Sequence, residues 1–193
     1  LDVLSSRVRI MGIVREELVE VREAFAIPRR TEIIEGEADL EDEDLIERLQ
    51  MRGLDLPILV RFNGILKDRL REIYDAFAQA IKDHDYKGRY ICVYPIKVNQ
   101  QRHVVEQVVN YGKVYGFGLE AGSKPEMLAV VAMTDADTPI IGNGFKDAEF
   151  IEMAMLAQKI GRNIIPVVEK YTELGLILKY AERVGVRPQI GMR

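Results

Sequence analysis

One cysteine, two histidines and no tryptophan occur in 193 residues, and each shortage removes a class of protein. The single thiol, Cys92, closes no intramolecular disulfide, which excludes the stapled secreted scaffolds and fits a reducing, cytoplasmic setting. Two histidines and one cysteine cannot build the His/Cys cluster of a structural zinc, so no metal ligand is assigned. No apolar run approaches the ~20 residues of a membrane helix, and no basic segment leads into an apolar one at the start. No Gly-x-Gly-x-x-Gly follows a strand-like run, which argues against a dinucleotide-binding sheet. What is present is a globular composition, 48% apolar and 30% charged, long enough for one sizeable domain.

The net charge of −4 is local. Residues 31–47 hold nine acids and no base, whereas the remainder carries 27 bases against 22 acids. Acidic runs of this kind are solvated linkers, and this one marks a junction between two grammars. Before it, Met11, Val14, Leu18, Val21 and Phe25 recur at spacings of three and four, which predicts an amphipathic helix ended by Pro28. Arg29-Arg30, beside nine acids, make a poor nucleic-acid patch.

From about residue 56 strand and helix alternate. β-rich runs begin near Ile58, Ile91, Val114, Ile140, Ile164 and Gln189, with helical patterns over Leu66–Ile81, Val104–Val109, Pro125–Met133, Glu149–Ile160 and Leu174–Val184. Such even βα units predict an α/β fold, a partial (β/α)8 barrel with about six of its eight strands, preceded by the helix and acidic linker. Six strands cannot close an eight-strand register, so the sequence reads as truncated at its C-terminal side. Pro166, inside Ile164-Ile165-Pro166-Val167-Val168, is expected at a bulge or strand end.

The most informative stretch is Tyr94-Pro95-Ile96-Lys97-Val98-Asn99-Gln100-Gln101, which follows the apolar run Tyr90–Val93. It predicts a lysine at the end of a buried strand, where desolvation favours a neutral, nucleophilic amine able to condense with an aldehyde cofactor. A strand-end lysine snorkelling into solvent is the commoner arrangement, and spacing alone does not decide between them.

Longer stretches do decide. Residues 48–193 resemble the N-terminal part of bacterial biosynthetic arginine decarboxylase, a pyridoxal-phosphate enzyme of the alanine racemase-like barrel class. The likeness is carried by Arg52–Phe62, Gly88–Tyr90 with Tyr94–Gln101, Tyr115–Glu126 and Gly142–Asp147, in family order. It implies that Lys97 holds the cofactor covalently, that Glu120 lies beside the cofactor ring, and that Arg193 is a basic residue near the cofactor. It implies decarboxylation of L-arginine to agmatine in polyamine biosynthesis, with pyridoxal 5'-phosphate as cofactor, room for magnesium, and a homo-oligomer at full length. The acid on the pyridine nitrogen, the phosphate cradle and the substrate-recognising acids belong in that family beyond the sixth strand. Negligible turnover is therefore expected of these 193 residues alone. Residues 1–47 instead resemble the end of the breakage-reunion region of DNA gyrase, which implies a chimera joined near Glu47-Arg48. A non-catalytic scaffold, or another amino-acid decarboxylase or racemase of the same barrel class, are the alternatives.

Among smaller features, His103 is expected as a surface histidine at a helix start, and Ser123 as the N-cap before Pro125. Asn143, between two glycines, suits either a barrel-mouth or a turn position.

Overall fold

A computed structural model describes residues 8–10, 19–21, 42–54, 57 and 61–193, of which 8–10, 19–21 and 42–45 are described as backbone only. The chain divides into two units, Leu1–Asp68 and Arg69–Arg193.

In the first unit, β1 (Val8–Ile10) pairs antiparallel with β2 (Val19–Val21), with Val8 opposite Val21 and Ile10 opposite Val19. This corrects the predicted helix at the residues described. Val-Arg-Ile and Val-Glu-Val alternate apolar and charged with β-branched residues, a period-2 pattern that pairs as strands. Most of the stripe, including Met11, Val14, Leu18 and Phe25, lies outside the described residues, as do Arg29-Arg30. The end of the acidic run is a second difference, since α1 (Asp42–Met51) is helical and runs through Glu47-Arg48. Ile46 and Leu49, three apart, share its buried face.

The second unit contains the parallel sheet. Its strands are β3 (Val93–Pro95), β4 (Gly118–Ala121), β5 (Ile140–Gly142), β6 (Ile164–Val168) and β7 (Gly191–Met192), paired in sequence order. Every pairing in this sheet is parallel, and among the described residues no strand is skipped. A doubly wound sheet reverses its strand order at a switch point; this one winds in a single direction, as a barrel does. The first of the six expected strands, beginning near Ile58, starts in residues outside those described.

Two strands start later than expected. Tyr90–Cys92 are not paired as strand, and the run from Val114 begins as a 3-10 turn, Lys113–Tyr115, so β4 starts at Gly118. Pro166 is also corrected, because it sits mid-strand opposite Gly142. The Asn163 carbonyl accepts the Ile140 N–H, and strand alternation then aims the Pro166 nitrogen away from β5. On that other side β7 pairs only with Val167 and Val168, so no ladder bond is lost.

The crossovers are α3 (Arg102–Gly112), α4 (Lys124–Met133), α5 (Ala148–Lys159) and α6 (Tyr171–Val184), following α2 (Asn63–Asp83). They bury Val105 and Val108, Met127 and Val130, Phe150, Ile151, Ala154 and Met155, and Ile177 and Ala181, all at helical spacings. Against these lie Leu119, Ala121, Ile140 and Ile164, each fully buried. Ser123 caps α4, accepting the Glu126 N–H at 3.4 Å, with Pro125 in the first turn as expected. This core fixes the strands, and the strands deliver their C-terminal loops to one edge.

Candidate functional site

At that edge lies a cleft of about 280 Å³ lined by Lys97, Glu120, Asn143, Glu169 and Arg193, with Glu126 and the 122–123 and 144 backbone. The chain thus brings together all three sequence-derived site residues, Lys97, Glu120 and Arg193.

Lys97 sits in the 3-10 turn Ile96–Val98 directly after β3, rather than on a buried strand. β3 is half-buried, and the Lys97 side chain is 65% exposed. The turn is fixed locally: the Tyr94 hydroxyl donates to the Asn99 carbonyl at 3.3 Å, and Asn99 Oδ1 accepts the Gln101 N–H at 3.1 Å. Burial pushes the Tyr94 hydroxyl pKa up, keeping it a donor. Gln100 Nε2 then reaches Glu126 Oε1 at 3.2 Å, while Glu126 Oε2 accepts the Gly122 N–H at 2.7 Å. These bonds explain the polar tail of the Lys97 motif: it ties the lysine turn to the loop after β4.

Glu120, on β4, lies 3.8 Å from Lys97 Nζ and is largely buried. Asn143 Nδ2 reaches its other oxygen at 3.5 Å, and the Asn143 N–H is held by the Ala121 carbonyl at 3.0 Å. Asn143 therefore lines the cleft. The loop after β5 can come this close because residue 144 is glycine: its φ is +79°, and a Cβ there would stand 2.8 Å from the Gly122 carbonyl oxygen. On the far wall, Arg193 Nη1 pairs with Glu169 Oε1 at 3.2 Å, and the Arg193 N–H donates to the Val168 carbonyl at 3.3 Å. His103 is half-buried on α3 and does not line the cleft.

Sequence reasoning missed Glu169, Glu126 and a pair behind the cleft. Glu169 follows Val167-Val168 just as Glu120 follows Gly118-Leu119, so its strand-end position was an available signal. The pair is Lys146 and Glu173, whose side chains are 0% and 5% exposed with Nζ 3.5 Å from Oε2. Lys146 also donates to the Gly144 carbonyl, and Glu173 Oε2 accepts the N–H groups of Glu169 at 2.9 Å and Lys170 at 3.1 Å. Desolvation pushes the Glu173 carboxyl up, but the two N–H donors and Lys146 outweigh it and leave its pKa below the usual range.

A singly wound parallel sheet with a polar cleft at its strand C-termini defines a barrel-type α/β domain. The chain belongs to the pyridoxal-dependent decarboxylases: the family model described as "Pyridoxal-dependent decarboxylase, pyridoxal binding domain" matches residues 68–193. It is 64% identical over 150 residues to a biosynthetic arginine decarboxylase of Rhodopirellula baltica, covering 78% of this chain and 22% of that one. To the corresponding protein of Phocaeicola vulgatus it is 51% identical over 158 residues, 81% of this chain and 25% of that one. The crystal structure of the biosynthetic arginine decarboxylase from Campylobacter jejuni superposes with a TM-score of 0.73 at 32% identity, over 93% of this chain and 28% of that chain. The chain thus spans about a quarter of the length of the relatives it matches.

The residues present fit the cofactor this family is named for. Lys97 offers an accessible primary amine, Glu120 faces it, and Asn143 Oδ1 is a buried acceptor with no partner. A buried orphan acceptor at a cleft wall is a place for a ligand's donor.

Proposed function

We propose that this chain is the cofactor-attaching part of an arginine decarboxylase, with Lys97 as the attachment amine and L-arginine as substrate. The observation that carries the reading is the Lys97–Glu120 pair, an exposed amine facing a mostly buried carboxylate at the strand C-termini. The pairing of an exposed lysine is weak, worth about 0–1 kcal/mol, so the amine is free to exchange partners. Glu120, held from behind by Asn143, keeps the amine aimed across the cleft and can take up its proton when the nitrogen becomes a nucleophile. Arg193, held by Glu169, supplies a fixed positive charge on the opposite wall for an anionic group of the cofactor. Pyridoxal phosphate, when bound, supplies the ring that accepts the electron pair left by departing carbon dioxide.

The domain limits, a gyrase-like leader over 1–47 and the barrel from 48, belong to the same proposal, as do a homo-oligomeric, cytoplasmic enzyme acting in polyamine biosynthesis and its use of magnesium. Among the described residues no helix is long and apolar enough to cross a membrane, and no group of three or more His, Cys, Asp or Glu is placed to hold a metal. The reading is tested by adding pyridoxal phosphate to the chain, reducing with borohydride, and mapping the modified peptide. The adduct is expected on Lys97; a folded chain without one would sink the reading. Agmatine release from arginine, compared with ornithine, lysine and diaminopimelate and with or without a chelator, then tests substrate and magnesium.

A further inference from the structure

We propose that the buried Lys146–Glu173 pair is the positioning device of the cleft, tying its two walls into one unit; this rests on the cofactor reading above. Lys146 lies in the loop after β5 and Glu173 in the first turn of α6, so the pair joins two consecutive strand-to-helix connections. From Lys146 one path runs through the Gly144 carbonyl to Asn143, then to Glu120 and Lys97. From Glu173 the other runs through the Glu169 N–H to Glu169, then to Arg193. A buried lysine is retained only with partners, and here one partner, the Gly144 carbonyl, lines the cleft while the other, Glu173, holds the N–H of the cleft residue Glu169. Neither Lys146 nor Glu173 lines the cleft; the pair acts through Asn143 and Glu169. A binding site whose groups are held from behind loses affinity when that support is removed, even while the fold persists.

The test uses the full 193-residue chain and the variants Glu173→Gln and Lys146→Met. Lys159→Met serves as control, because Lys159 caps the Val184 carbonyl at 2.8 Å, away from the cleft. Glu173→Gln keeps an oxygen for the two N–H donors, so it carries the test if Lys146→Met does not fold. Amide hydrogen exchange without cofactor is read at Asn143 and Arg193, whose N–H groups lie on opposite walls. Exchange at both is expected to rise about tenfold in the pair variants and to stay unchanged in the control. A rise confined to Glu169 and Lys170 would show a local cap and overturn the proposal. Pyridoxal phosphate titration, corrected for folded fraction, should show about tenfold weaker binding in the pair variants only. Unchanged affinity at reduced stability would also overturn it. Should the wild-type chain bind no pyridoxal phosphate, the cofactor reading fails, while the exchange experiment still decides whether the pair couples the walls.

Discussion

Lys97 and Lys146 each stand just past the C-terminal end of a sheet strand, and the chain treats them in opposite ways. Lys97 is exposed, with one carboxylate at 3.8 Å; Lys146 is buried and held by a carbonyl and a carboxylate. The first amine can leave its partner at little cost, so it can serve as a reagent. The second cannot, because removing either partner strands a buried charge. Position at a strand end places a lysine near the chemistry, but exposure and partners decide whether it reacts or holds the scaffold.

The sharpest way to break this contrast is to remove each amine in turn. Lys97→Ala should abolish borohydride-trapped cofactor while leaving the urea unfolding free energy within about 0.5 kcal/mol. Lys146→Met should do the reverse in stability, lowering it by about 3–5 kcal/mol in the same experiment. Equal stability losses would erase the difference between the two.

Acid sharpens the comparison further. The folded pKa of Glu173 is depressed, so its contribution is complete above the ordinary glutamate value, about 4.3, and is lost as pH falls through the folded value. Glu173→Gln should therefore be most destabilising near neutral pH, with the gap to wild type shrinking in acid. A gap independent of pH, measured by urea unfolding at several pH values, would contradict the depressed pKa. The smallest effect is expected at Lys124, a partly exposed lysine pairing with Asp147 and Glu149 at 2.9 and 2.6 Å. Lys124→Met should shift the melting temperature less than Lys146→Met does, and the shift should fade with added salt.

Much of this was legible beforehand, for identifiable reasons. The family resemblance singles out Lys97, Glu120 and Arg193, and βα alternation explains why all three stand at strand C-terminal ends, where such folds carry their sites. Glu169 obeys the same rule and was overlooked because no recognised motif contains it. Lys146 and Glu173 could not be paired from sequence, since their contact spans 27 residues and depends on how two loops fold. Lys97 was expected at the end of a buried strand, yet β3 pairs with β4 alone among the described strands and stays half-buried. The predicted N-terminal helix failed at Val19–Val21 because three- and four-residue spacings in a short window do not exclude alternation. In the acidic run, counting charge hid the helical start of α1 at Asp42.

The central claim is that the exposed lysine is the reagent and the buried one the scaffold. Peptide mapping of the borohydride-reduced chain after incubation with pyridoxal phosphate tests it most directly. The account predicts modification on the peptide containing Lys97 and an unmodified peptide containing Lys146. Modification at Lys146, or spread evenly over surface lysines, would contradict it.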